Sequence, residues 1–196
     1  MPPAHANRVR IIGGRFRGRV IRFPDAAGLR PTPDRVRETL FNWLGQELAG
    51  LRTLDLYAGS GALTLEALSR GAETAMAIDS NPALVHALAE TAKVIGATGL
   101  TTQVADARRF LARDTGPYDV IFLDPPFAQN GWSWLLPACA ARLAERGYVY
   151  AEAGRALEAA GGLEVWRHAK AGAVHYHLLV RAEGPASTGT VHPAPS

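Results

Sequence analysis

Thr53-Leu54-Asp55-Leu56-Tyr57-Ala58-Gly59-Ser60-Gly61-Ala62 is the stretch that decides the fold. A short apolar run ends in an acid and then in two glycines one residue apart. Glycine lets a backbone turn tightly and approach a ligand closely. Leu63 to Arg70 then reads as a helix, with Leu65 and Leu68 as core candidates and Gly71 as its stop. Thr74-Ala75-Met76-Ala77-Ile78 follows as a second strand ending in Asp79, 20 residues after Gly59. Strand, glycine turn, helix and strand make one βαβ unit, and the helix start offers free N–H groups and a positive dipole end.

The alternation continues. Asn81-Pro82 opens a second helix running to about Ile95, with Leu84, Leu88 and Val94 inward. Thr101 to Ala105 is a strand ending in Asp106, and Ala107 to Arg113 a short helix. Tyr118 to Leu123 is a mostly apolar, β-branched and aromatic strand. Leu135 to Arg146 reads as a helix, Tyr148 to Ala151 as a fifth strand and Gly154 to Ala160 as a weak helix. Leu163–His168 and Val174–Val180 read as an antiparallel edge pair. Strands alternating with helices predict an α/β fold: a doubly wound, mostly parallel, seven-stranded Rossmann-like sheet with an antiparallel edge.

Upstream, Arg8 to Ile12 alternates, Gly13-Gly14 breaks the run, and Gly18 to Phe23 follows, which predicts a β-hairpin. Its tip, Arg15-Phe16-Arg17, reads either as a contact for RNA backbone and base or as an edge guarded by charge. Thr32-Pro33-Asp34 predicts a helix start with a hydroxyl cap, and Val36, Leu40, Trp43 and Leu44 share one face of that helix. Arg30, Arg35 and Arg37 lie near this entry, as ligand contacts or as surface charges. The expected organisation is a basic hairpin and connector over 1–31, a main domain over 32–183 and a disordered tail over 184–196.

Nine arginines and two aspartates within the first 37 residues leave that end at +7, while the whole chain is only +3. A basic end on a mildly acidic body points to an anionic partner, nucleic acid first. The chain of 196 residues has a single cysteine, Cys139, which excludes an internal disulfide and a thiolate metal cluster. No apolar run approaches the roughly 20 residues of a bilayer span. Residues 1–7 carry no apolar signal core, so a cytoplasmic protein without membrane contact is expected. His175 and His177 share a strand face but no third ligand is evident, so no metal is expected and exposed edge positions are the simpler reading.

The chemistry is read from Asp124-Pro125-Pro126-Phe127. Neither proline donates a backbone hydrogen bond, so the strand ladder must stop there. The result is a stiff loop at the carboxyl end of a strand, presenting a carboxylate, free carbonyl oxygens and an aromatic face. Such a group suits a planar ring bearing an NH2 group. Trp132 and Trp134 follow closely and read equally as substrate flank or as core. Asp79 can accept both hydroxyls of a ribose, Asp106 can accept from an adenine amine or cap a helix, and Asp55 can help to hold an ammonium. Carboxylate, ammonium, ribose and adenine together describe S-adenosylmethionine (AdoMet) apart from its methyl group.

These residues resemble a class I AdoMet-dependent methyltransferase acting on an exocyclic amine. Arg10-Ile11-Ile12-Gly13-Gly14, Gly28-Leu29-Arg30-Pro31-Thr32, Asp34 to Leu44 and Leu65 to Ala72 narrow the resemblance to the RsmD family, over roughly residues 8–181. That resemblance implies methyl transfer from AdoMet to N2 of a guanine in small-subunit (16S) ribosomal RNA, with S-adenosylhomocysteine as product. The partner it implies is ribosomal RNA, within a partly assembled small subunit or free of it. It implies a catalytic set of Asp124, Pro125, Pro126 and Phe127. The implied cofactor set is Asp55, Tyr57, Ala58, Gly59, Ser60, Gly61, Asp79, Ser80, Asp106, Ala107 and Asp124. Arg10, Arg15, Phe16, Arg17, Arg19, Arg30 and Arg35 are the expected RNA contacts. Asp79 stands where the family more often has glutamate. Gly154 stands where a second glutamate often follows Tyr150-Ala151-Glu152, and the end of that strand is left out of the expected site. A protein glutamine or another nucleic-acid base remains the alternative acceptor, and a non-enzymatic RNA-binding module the alternative class.

Overall fold

The computed structural model describes residues 7–126 and 131–182. The chain runs β1 (Asn7–Arg10), β2 (Val20–Phe23), α1 (Asp34–Trp43), β3 (Arg52–Asp55), α2 (Ala62–Ser69), β4 (Thr74–Asp79) and α3 (Pro82–Ile95). Then come β5 (Leu100–Val104), α4 (Ala107–Leu111), β6 (Tyr118–Leu123), α5 (Trp132–Ala140), β7 (Leu143–Ala153), β8 (Leu163–Ala171) and β9 (Val174–Arg181). One sheet has seven strands in the order β5-β4-β3-β6-β7-β9-β8. The first five are parallel, and β9 runs antiparallel between β7 and β8. The expected Rossmann-like sheet with an antiparallel edge is the observed one, and β1 and β2 form the separate hairpin. No helix among the described residues is long and apolar enough to cross a membrane.

Both faces of the sheet are covered, so its central strands are apolar on both sides. Alternate residues of β6 divide between two cores. Val120 and Phe122 pack with the hairpin, α1, α2 and α3, while Ile121 and Leu123 pack with α4 and α5. Every residue of α2 is buried. A helix enclosed all round cannot leave a polar side chain unsatisfied, and two of its polar residues organise the N-terminal region.

Glu66 is fully buried and its carboxylate takes four donors. They are Ile12 N at 2.9 Å, Gly13 N at 2.7 Å, Arg70 Nε at 2.9 Å and Arg37 Nη1 at 3.1 Å. Arg37, expected near the surface, is also fully buried. Its guanidinium further donates to Arg10 O (2.8 Å), Thr32 O (3.2 Å) and Asp34 Oδ1 (2.5 Å). Ser69 fixes the chain beyond: its hydroxyl accepts from Phe16 N (2.8 Å) and donates to Gly13 O (2.6 Å). The approach is so close that a Cβ on Gly14 would lie 1.9 Å from Ser69 O.

Several expectations are corrected. Phe16 is not an exposed platform at a hairpin tip; its ring lies in the core, because the 11–19 segment folds down onto the end of α2. Thr32 does not cap α1. Pro33 occupies the cap position, and the Thr32 hydroxyl is drawn instead to a buried carboxylate. The helix expected to reach Arg146 stops at Ala140, since Leu143 pairs with Tyr118 and the strand runs on to Ala153. Residues 154–160 form no helix. Val94 faces solvent. His177 is not at an exposed edge: β8 takes the edge, and His177 is fully buried. Its Nε2 accepts from Leu157 N at 3.0 Å, and burial pushes its pKa down to about 4. The tail over 184–196 lies outside the described residues.

Arg37→Met leaves the Glu66 charge buried with one cation fewer. It is expected to destabilise the protein by about 3–5 kcal/mol. Urea unfolding measures the loss, and Arg37→Lys should recover only part of it because an ammonium lacks the guanidinium fork.

Candidate active site

The acids of the site stand at the carboxyl ends of neighbouring strands, where open α/β sheets bind ligands. Asp55 ends β3 and lies beside Phe122 of β6 on one side and Ala77 of β4 on the other. Asp79 ends β4, and Ala105 N donates to its backbone oxygen at 3.0 Å, which brings the Asp106 segment alongside. Asp124 follows β6 directly. Leu123 pairs with Ala151, so the next residues, Asp124 and Glu152, emerge side by side.

Gly59 and Gly61 both have positive φ, +50° and +77°, and Gly61 is the left-handed cap of α2. A Cβ on Gly59 would come 2.8 Å from Leu29 Cδ1, and one on Gly61 would come 2.4 Å from Leu88 Cδ1. The connector after the hairpin therefore lies directly on the glycine turn. The turn is braced by an acid: Asp79 Oδ2 accepts from Gly59 N (2.8 Å) and Oδ1 from Asn81 N (2.8 Å). Both oxygens keep unused lone pairs, with their direction already set. The cap residue Gly61 has no side chain, and Ser60 Oγ accepts only a long bond from Ala62 N at 3.3 Å, so the positive end of α2 faces the turn.

Asp55 is buried and accepts the Thr64 hydroxyl at 2.7 Å. Burial pushes its pKa up to about 7, against the opposing effect of that hydrogen bond. Asp124 is half-buried, and burial, then Glu152, then Asp55, hold it well above the ordinary carboxylate range. Pro125 is buried and Pro126 exposed; Phe127 lies outside the described residues. Asp106 caps α4 through a bond from Arg109 N (3.1 Å). Tyr57, Ala58, Ser60 and Ser80 lie on these turns, and Ala107 is the first residue of α4.

Glu152, left out of the expected site, is the residue that sequence reasoning missed. It is 5% exposed, and its Oε1 accepts the Thr32 hydroxyl at 2.7 Å and the Tyr150 hydroxyl at 2.8 Å. Burial raises its pKa as well. Its signal in the sequence was an acid one residue past an apolar β-branched and aromatic run, the same pattern that marks Asp79 and Asp124. Buried Asp55 and Glu152 thus flank half-buried Asp124 in a row of carboxylates with no ion pair among the described residues.

The arginines stand apart from this row. Arg10, Arg15, Arg17, Arg19, Arg30 and Arg35 are exposed. Arg15 rests on the Phe16 ring at 4.4 Å and donates to Gly96 O at 3.2 Å. Arg8, Arg10 and Asp34 border a hollow of about 290 Å³ beside the hairpin. Trp132 and Trp134 pack against the core on the α4 and α5 side of the sheet, with the Arg108 guanidinium 4.5 Å over Trp134. His168 joins the histidine pair, Nε2 lying 2.9 Å from His175 Nδ1, yet no three-ligand metal group exists among the described residues.

The family described as "Conserved hypothetical protein 95" matches residues 9–180. Ribosomal RNA small subunit methyltransferase D of Escherichia coli K12 is 38% identical, over 91% of this chain and 94% of that protein. A Bacillus subtilis relative, YlbH, is 36% identical over 76% of this chain and 85% of its own. The solved Escherichia coli protein yhhF superposes with a TM-score of 0.80 at 37% identity, covering 89% of this chain and 98% of that one. SMU.776, solved in complex with SAH, superposes at 0.66 with 15% identity over 82% of this chain and 53% of that one, a likeness of fold alone.

The raised pKa of Asp55 fixes a direction for stability. An acid lifted from 3.8 to about 7 is neutral in the fold where it would ionise in the unfolded chain. The free protein therefore loses stability as pH rises from about 4 to about 7, by on the order of a few kcal/mol for this group. Asp55→Asn should flatten that slope and leave the free protein more stable than wild type at pH 8, measured by urea unfolding at pH 5 and pH 8.

Proposed function

The chain belongs to the family of ribosomal RNA small subunit methyltransferase D, and on that premise we propose that it methylates the exocyclic N2 amine of a guanine in small-subunit ribosomal RNA, with AdoMet as donor. The observation that carries the reading is the row Asp55, Asp124 and Glu152 beside a glycine turn. Buried carboxylates without a cation are costly. A cofactor bearing both an ammonium and a sulfonium is the complement such a row lacks.

The residues fit that cofactor. In this reading Asp55 takes the ammonium, the N-terminus of α2 the carboxylate, Asp79 the ribose hydroxyls and Asp106 with Ala107 the adenine. Leu29 and Leu88 pack so closely on Gly59 and Gly61 that neither position has room for a side chain, which keeps the backbone of the turn in one place. When bound, AdoMet supplies a methyl group on an already activated sulfur, so no metal is required.

The chain's own part is to hold the amine and receive its proton. A guanine N2 lone pair is delocalised into the ring and weakly nucleophilic. Asp124 and the Pro125 carbonyl accept the two amine hydrogens, which favours electron density on nitrogen as it pyramidalises. That interaction strengthens as charge develops, which is what lowers a barrier. Asp124 then takes the proton. The prolines keep the loop stiff, so the acceptors are in place beforehand. Phe127 stacks on a base swung out of its RNA context.

The exposed arginines Arg10, Arg15, Arg17, Arg19, Arg30 and Arg35 grip the RNA backbone. Phe16, being buried, takes no part.

Asp124→Asn is expected to reduce methyl transfer to ribosomal RNA at least about a hundredfold while AdoMet affinity changes far less. Tritiated AdoMet and single-turnover counting of labelled RNA check it, and label appearing in protein instead would move the acceptor to a glutamine. Arg17 and Arg19 changed together to Ala should weaken RNA binding and lessen the dependence of log K on log salt by about two contacts. An unchanged slope in a fluorescence-anisotropy titration takes the 11–19 segment out of the interface.

A further inference from the structure

Glu152 makes a contact that a purely structural acid would not need. Its Oε1 receives two hydroxyls, one from Tyr150 two residues away and one from Thr32, 120 residues earlier in the chain. Its Oε2 has no protein partner among the described residues. The strand register sets it beside Asp124, whose carboxylate also makes no hydrogen bond among them. The groups facing Asp124 are Asp55 from β3, Glu152 and Tyr150 from β7, and the Thr32 hydroxyl from the connector beyond. None of these is a cation.

We propose that Glu152 is a positioning residue for Asp124, the two sharing one proton that leaves when a cationic cofactor enters the cleft. The inference rests on the reading of the site as an AdoMet pocket. Two like charges on neighbouring strand ends, with one of the acids buried, do not readily both ionise. The hydroxyls of Thr32 and Tyr150 favour the charged form of Glu152, so the shared proton resides on Asp124. A protonated Asp124 is a poor acceptor for both hydrogens of an amine. Entry of a sulfonium and an ammonium makes the doubly ionised pair favourable, and the proton passes to solvent. The acceptor is thereby armed only in the loaded enzyme. The product cofactor lacks the sulfonium charge, so it releases less proton, and the same pair distinguishes donor from spent product. Burial raises both acids, and the Glu152 charge raises Asp124 further, which agrees with this geometry.

The test is isothermal titration calorimetry of the full chain with AdoMet and with S-adenosylhomocysteine, in buffers of different ionisation enthalpy between pH 6 and pH 8. Wild type is expected to release about half a proton or more with AdoMet near neutrality and clearly less with the homocysteine product. In Glu152→Gln the neighbouring charge is gone, so release with AdoMet should shrink and its midpoint move to lower pH. In Thr32→Val one donor to Glu152 is lost, the pair binds its proton more tightly, and the midpoint should move to higher pH. Opposite shifts are not produced by general loosening, and circular dichroism melts confirm that each variant is folded. Should Glu152→Gln fail to fold, the upward shift in Thr32→Val still decides. Equal proton release for both cofactors, or a Thr32→Val midpoint unchanged from wild type, overturns the inference. Wild type that binds no AdoMet at all overturns the cofactor reading instead.

Discussion

The buried pair of Arg37 and Glu66 is the constraint on which the rest of the structure depends. Each is inaccessible to water, and each would be costly alone. Together they satisfy six further protein groups drawn from β1, the residues after it, the connector, α1 and Arg70 just beyond α2. The ion pair is weak as a source of net stability, but it is specific. It allows one docking of the hairpin on α2 and one path for the chain from Phe23 to Asp34. That path is what lays Leu29 over Gly59 and brings Thr32 to Glu152.

The far end of that path meets groups that work against folding. Asp55 and Glu152, both buried, and the half-buried Asp124 are acids whose ionisation the fold resists. Such strain clusters where a ligand relieves it. The protein therefore has two kinds of buried charge: one matched within the chain at Arg37 and Glu66, the other left open at the strand ends. The first builds the scaffold, and the second is a demand that a bound cation meets.

Much of this was legible in the sequence because it follows from local pattern. The glycine turn, the acids at strand ends and the Pro-Pro loop are each set by neighbours a few residues apart. Those features sufficed for the sheet and for the placement of Asp55, Asp79 and Asp124. What was missed depends on partners far along the chain. Phe16 reads as a tip residue until Ser69 is seen to pull its backbone down. Arg37 reads as surface until a fully enclosed α2 presents Glu66. Thr32 reads as a cap, its usual use, because the carboxylate that takes its hydroxyl lies 120 residues away. Arg142 sits in a segment of good helix formers, but pairing of Leu143 with β6 ends the helix first. Asp124 pointed to its own neighbour only once the β6–β7 register was known.

The antiparallel strand β9 gives the site a history as well as a shape. It enters between β7 and β8 although both precede it in the chain. Until residues 174–181 have been synthesised, β7 has an open edge, and the wall that carries Glu152 stands half made. The glycine turn and Asp79 are complete about a hundred residues sooner, and Asp106 about 70. A nascent chain thus acquires its donor cradle early and its proton-sharing wall last, so chemistry waits on the final strand.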